Sequence, residues 1–190
     1  MYIKVKNKKM ATVTNILIDD LRHNKRTAQE RLLSLYGEMV FRQIARIVTR
    51  QEDAEEIYQD VFVKVFRKID TYDENQATLA TWLSRIAHNE TLNFVRKKKP
   101  GIVYLEDSHE DLENIEDTSA LQHNKQTTLL LEQALEQLPP YEKSIISMFY
   151  YDNIELKEIA YITDSIPTTI GSQLCRIRRK LYRIIKTLQP

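Results

Sequence analysis

A chain of 190 residues that is 42% hydrophobic and 29% charged has the balance of one ordinary globular domain or two small ones, which excludes disorder throughout. Its formal charge of +1 hides an uneven spread: Lys4, Lys6, Lys8 and Lys9, the block Arg96 to Lys99, and Arg176 to Lys186 are basic, whereas Leu105 to Asp117 is acidic. The lone Cys175 excludes an intramolecular disulfide and a cysteine-based metal cluster, and no apolar run reaches the length of a secretory signal or a membrane span, so a cytoplasmic protein is expected.

Only three glycines occur, Gly37, Gly101 and Gly171, so few points force the backbone to break and helix is favoured nearly everywhere. After a basic tail over 1–14, apolar residues recur loosely from Ile16 to Leu35 and again from Met39 to Val48, which predicts two helices. The segment "QEDAEEIYQDVFVKVFRKI" predicts a third: Ala54, Ile57, Val61, Val65 and Ile69 form one stripe, with Tyr58, Phe62 and Phe66 beside it. Past the polar break "DTYDENQAT", "LATWLSRIAHNETLNFVRKKK" predicts a fourth helix with Leu79, Leu83, Ile86, Ala87 and Phe94 inward. Trp82, at helical spacing with these, reads as core rather than as a stacking platform.

Pro100 and Gly101 mark a module boundary, and the acid-rich, apolar-poor stretch that follows reads as a flexible linker over 100–127. Helical periodicity returns at "TLLLEQALEQL", stops at Pro139-Pro140, resumes at "YEKSIISMFYY" and ends in two helices over Leu156 to Lys186. The predicted fold is all-α, two small helical modules over 15–99 and 128–190 joined by the acidic linker. As a coil of about 27 residues the linker spans ~30 Å, and fully extended ~90 Å, enough to place the modules one to more than two turns of B-DNA apart.

The C-terminal pair has the parts of a helix-turn-helix: Ala160 as the small contact, Asp164 at the turn, and Pro167-Thr168-Thr169 opening the second helix. Thr168, Thr169, Ser172, Gln173 and Arg176 carry the hydroxyl, amide and guanidinium groups that contact phosphates and base edges. Arg178, Arg179, Lys180 and Arg183 add attraction for phosphates that does not depend on sequence. The same pattern also fits a solvated amphipathic helix whose basic end suits the helix dipole.

The motifs together resemble a known family. "DAEEIYQDVFVKVFRKI", "TWLSRIAHNETLNFVRKKK" and "LEQLPPYEKSIISMFYYDNIELKEIAYITDSIPTTIGSQLCRIRRKL" are similar, in that order, to segments of the extracytoplasmic-function (ECF) group of the sigma-70 family of bacterial transcription initiation factors. The resemblance implies an alternative sigma factor, not an enzyme, without metal or cofactor. Its partners would be core RNA polymerase, promoter DNA and an anti-sigma factor, membrane-bound in many relatives.

By resemblance, Asp53, Glu56, Gln59, Asp60 and Phe62 would bind the coiled-coil clamp of the largest polymerase subunit. The loop "TYDENQATLAT" would capture a flipped nontemplate base of the minus-10 element through Asp73, Asn75 and Gln76. Asn89, Arg96, Lys97, Lys98 and Lys99 would hold the same strand and its phosphates, and Thr168, Thr169, Ser172, Gln173, Arg176 and Arg179 would contact the minus-35 duplex. The acidic linker would thread the active-site cleft as a mimic of nucleic acid.

The chain departs from the family at three points. Thr163-Asp164-Ser165 stands where Leu-Gly-Ile is usual, with Ile166 one place later, which predicts a shifted or loosely packed turn; Gln173 replaces a common Arg and Asn93 a frequent Asp. An enzyme finds little support, since His23, His88, His109 and His123 are scattered and no phosphate-binding glycine loop occurs. A DNA-binding regulator with a sensing or dimerising N-terminal module is the other reading.

Overall fold

The computed structural model describes residues 15–98 and 125–188, and every regular element among them is helical. The basic tail, Lys99, and the linker as far as 124 lie outside the described residues. Residue contacts divide the chain into two compact units, Met1–Thr91 and Leu92–Pro190. The dividing point therefore falls inside a helix, earlier than the boundary at Pro100 that the sequence suggests.

The N-terminal helices are α1 (15–22), α2 (Arg26–Ala45), α3 (Gln51–Lys68) and α4 (Leu79–Lys98), with a 3-10 turn Ile69–Thr71 after α3. The first two differ from the sequence expectation, which had one helix running to about Leu35. The chain turns instead at Asn24, whose φ of 54° is a left-handed conformation that asparagine tolerates. Lys25 N–H bonds to Asp20 O and Asn24 N–H to Leu21 O, so the freed carbonyls of α1 are satisfied at the turn. Gly37 does not break α2. It is buried mid-helix where a Cβ would stand 2.6 Å from the Tyr58 hydroxyl, so glycine there permits the close approach of α3.

The core of this module follows the predicted stripes. Leu32, Val40 and Ile44 of α2, Ile57, Val61 and Val65 of α3, and Leu83 of α4 are fully buried, each such side chain contributing about 1.5–3 kcal/mol. Phe41, Tyr58, Phe62 and Phe66 form a ladder with centroid spacings of 5.9, 4.9 and 6.1 Å. Lys64 of α3 pairs with Glu90 of α4. Trp82 is buried, as expected, and meets the Tyr72 ring edge-on at 5.6 Å.

The C-terminal helices are α5 (Lys125–Glu136), α6 (Pro140–Tyr150), α7 (Leu156–Thr163) and α8 (Pro167–Leu188). All three shorter helices pack on α8, whose Ile170, Leu174, Ile177 and Leu181 form the buried stripe. Ala134, Leu138, Ile145, Ile159 and Ile162 complete this core. The α7–α8 turn is closed: Asp164 takes a left-handed φ of 58°, and both Asp164 N–H and Ser165 N–H bond to Ala160 O. Ile166 is 60% exposed, so the expectation of loose packing is met at that residue alone.

Two predictions follow from the cores. His88 is buried, and burial lowers its pKa from 6.5 to about 4. Because the folded form resists protonation that the unfolded chain accepts, the stability contributed by neutral His88 is complete above pH 6.5 and is lost as pH falls towards 4. That loss is about 3 kcal/mol; denaturant melts followed by Trp82 fluorescence should show it in the wild type, and the corresponding share should vanish in His88→Leu. At the turn, Asp164→Ala should cost about 1 kcal/mol by placing an ordinary side chain at positive φ, while Asp164→Gly should be neutral or stabilising. Thermal unfolding of the C-terminal module checks the pair.

Candidate functional site

Helix α3 buries one stripe and so turns the opposite face outward. Glu56, Gln59 and Asp60 are exposed there, with Asp53 half-buried at its edge. The sequence reading placed Phe62 on the same face, but Phe62 is only 4% exposed, packed between Tyr58 and Phe66. It supports the face from behind and offers no contact area. Val63 was missed: it is 48% exposed, and helical spacing puts it four residues beyond Gln59 amid the polar groups. An isolated apolar residue opposite a buried stripe is the signal that marks it.

The loop between the 3-10 turn and α4 is held at both ends and braced in the middle. At its start, Arg22 Nη2 of α1 donates to Tyr72 O at 3.2 Å and Nε lies 3.9 Å from Asp70 Oδ1. At its end, Thr78 Oγ1 accepts from Thr81 N–H at 3.1 Å, which caps the first turn of α4. Between these, the Asp73 carboxylate accepts three bonds: Asn75 N–H and Nδ2 at 2.9 Å each on Oδ1, and Gln76 Nε2 at 3.1 Å on Oδ2. The backbone and then the side chain of Asn75 hold the Asp73 carboxyl below its usual pKa. The three residues singled out from the sequence are thus brought together into one bonded cluster. Arg22, 50 residues away, was not foreseen.

Asn89 is exposed on α4, and Arg85, Asn89, Asn93 and Arg96 recur on one face of that helix. Arg85 and Asn93 extend the predicted set. Arg96 approaches Asn93 Oδ1 at 3.5 Å, and Lys98 lies over the Phe94 ring at 5.5 Å. The basic block does not share one face: at about 100° per residue Lys98 points away from Arg96, so Asn89 and Arg96 align while Lys97 and Lys98 fan round the helix end.

On α8, the buried stripe leaves Thr168, Ser172, Arg176, Arg179 and Arg183 within an arc of about 80° on the far side. Thr168, Ser172, Arg176 and Arg183 are exposed and Arg179 half-buried. Ser172 Oγ donates to Thr168 O at 3.1 Å. Thr169 and Gln173 sit on the flank: both are half-buried, and Gln173 Oε1 accepts from the Tyr141 hydroxyl of α6 at 3.4 Å. Lys180 is engaged with Glu142 at 3.0 Å, so its charge braces α6 against α8. The outward face therefore carries hydroxyls at its start and guanidinium groups further along, the arrangement that suits phosphates and base edges.

Comparison with known proteins bears on these faces. The family model for Sigma-70 region 2 matches residues 32–100 and that for Sigma-70, region 4 matches 128–181, together about two thirds of the chain. The chain is 28% identical over 167 residues to the ECF RNA polymerase sigma factor SigW of Bacillus subtilis, covering 83% of this chain and 88% of that one. It is 28% identical over 158 residues to SigE of Mycolicibacterium smegmatis, covering 81% of this chain and 57% of the other. In fold it resembles CnrH, solved with the cytosolic domain of CnrY, at a TM-score of 0.64 and 16% identity over 90% of this chain and 96% of CnrH. It also resembles RpoE of Bartonella quintana, solved with the anti-sigma factor NepR, at a TM-score of 0.60 and 20% identity over 83% of this chain and 96% of RpoE. With both regions matched in one chain, the protein belongs to the sigma-70 family of RNA polymerase sigma factors, in its extracytoplasmic-function group, which acts in promoter-specific transcription initiation.

Proposed function

We propose that the chain is an alternative sigma factor that makes three contacts in initiation. The outward face of α3 binds core RNA polymerase through Asp53, Glu56, Gln59 and Asp60, with Val63 as an apolar centre. The loop around Asp73, Asn75 and Gln76 captures a flipped minus-10 base, while Asn89 and the basic end of α4 hold the opened strand. Helix α8 reads the minus-35 duplex. Residues 15–99 serve as the region 2-like module, 100–127 as linker and 128–190 as the region 4-like module. The observation that carries this reading is the succession of region 2 and region 4 matches in one chain.

Opening the duplex follows from the first two contacts acting together. Flipping a base costs a few kcal/mol of unstacking, which the loop offsets only if the strand is already held beside it. Polymerase supplies that fixed position, so melting requires the holoenzyme. An anti-sigma factor fits as a further partner, since RpoE of Bartonella quintana, similar in fold, was solved with the anti-sigma factor NepR. A cytoplasmic location follows from work on chromosomal DNA. No helix among the described residues is long and apolar enough to cross a membrane.

The decisive experiment is in vitro transcription with core polymerase. The sigma reading expects association with core on size exclusion and a promoter-dependent transcript; absence of both, with duplex binding by the chain alone, would instead favour a simple DNA-binding regulator. Gln59→Ala combined with Asp60→Lys should weaken core affinity by roughly tenfold or more without lowering the melting temperature, because both side chains are exposed. Unchanged affinity would put the docking face elsewhere. Arg176→Ala with Arg179→Ala should lower affinity of the holoenzyme for upstream duplex and reduce the slope of log K against log salt by about 2. An unaltered slope would assign both residues to packing.

A further inference from the structure

The cluster at Asp73 fixes more than the shape of the loop. An ionised carboxylate can only accept hydrogen bonds, whereas each amide of Asn75 and Gln76 has a donating end and an accepting end. Both amides turn their donating ends, Asn75 Nδ2 and Gln76 Nε2, towards Asp73, each placing one of its two N–H groups on the carboxylate. Turning either amide over would set its oxygen against the carboxylate, so the orientation is chemically determined. The accepting ends, Asn75 Oδ1 and Gln76 Oε1, are left for an incoming ligand, and both side chains are exposed. Arg22 and Thr78 anchor the two ends of the loop, so the cluster is presented by a braced segment.

A flipped base is read on its Watson–Crick edge. Adenine and cytosine each present an exocyclic amino group there, cytosine with one carbonyl oxygen as well, and guanine presents an amino group and a ring N–H beside one carbonyl oxygen. Thymine presents one N–H between two carbonyl oxygens. Outward amide oxygens beside the Asp73 carboxylate attract amino groups and repel carbonyls. We propose that Asp73 is a positioning residue that turns the oxygens of Asn75 and Gln76 outward, so that the loop selects a nontemplate base bearing an exocyclic amino group and disfavours thymine. This rests on the reading of the loop as the base-capture site.

The test uses the full chain with core polymerase and forked promoter DNA selected by that holoenzyme from a randomised pool. Each nontemplate position of the minus-10 element is varied in turn: cytosine against pyrimidin-2-one, adenine against purine, and each against thymine. At one position, loss of the amino group or change to thymine should weaken binding roughly tenfold. In Asp73→Asn the residue at 73 both donates and accepts, so the neighbouring amides are released and the discrimination should fall to within about twofold. A holoenzyme that binds no probe would overturn the base-capture reading together with the inference. Firm promoter binding that ignores the amino group at every position would overturn the inference alone, and full discrimination retained in Asp73→Asn would remove Asp73 from its role.

Discussion

The C-terminal module depends on a single packing constraint: α8 is the helix on which α5, α6 and α7 all rest. Its stripe of Ile170, Leu174, Ile177 and Leu181 must face inward for that core to exist, and truncating one such residue to alanine costs about 2–5 kcal/mol. Once the stripe is committed, the rotation of the helix is settled, and so is what it shows outside. Thr168, Ser172, Arg176 and Arg179 face outward because Ile170, Leu174 and Ile177 face in. Stability and the proposed recognition are thus opposite sides of one helix, and a helix that slipped by one residue would lose the buried stripe and turn this polar face away together.

The N-terminal module uses the same logic on α3, where Ile57, Val61 and Val65 bury one face and leave Glu56, Gln59 and Asp60 on the other. Its loop follows a different rule. Residues 72–78 have little apolar surface to bury apart from the Tyr72 ring, so polar bonds organise them: a guanidinium on the Tyr72 carbonyl, a carboxylate gathering two amides, and a threonine capping α4. Such bonds contribute about 1 kcal/mol each, less than buried apolar contacts, but they carry direction, which packing does not. The proposed base capture, which would have to distinguish donors from acceptors, calls for directional bonds of this kind.

Helical periodicity made most of this fold legible in the sequence. The α3 stripe, the place of Trp82, the breaks at Pro139-Pro140 and the position of Asp164 in the turn all stand in the structure where the sequence put them. The break at Asn24 was not legible, because a lone asparagine enters the left-handed region only where local bonds reward it. Nor was the use of Gly37 legible, since it is the approach of Tyr58, a contact across 21 residues. At the candidate site, the partnerships between side chains were not legible. Arg22 with Tyr72 and Tyr141 with Gln173 join distant positions, and Phe62, which the resemblance counts among the polymerase contacts, is buried beside the stripe where the periodicity sets it.

In the proposed function the two modules act on DNA only as part of the polymerase. A hydroxyl-radical footprint on a promoter fragment, run beside permanganate oxidation of unpaired thymines, tests this most directly, with the chain alone, core alone and the two combined. The account predicts protection of an upstream and a downstream segment together, with reactive unpaired bases in the downstream one, only when both proteins are present. The same protection from the chain without core, or none from the mixture, would contradict it.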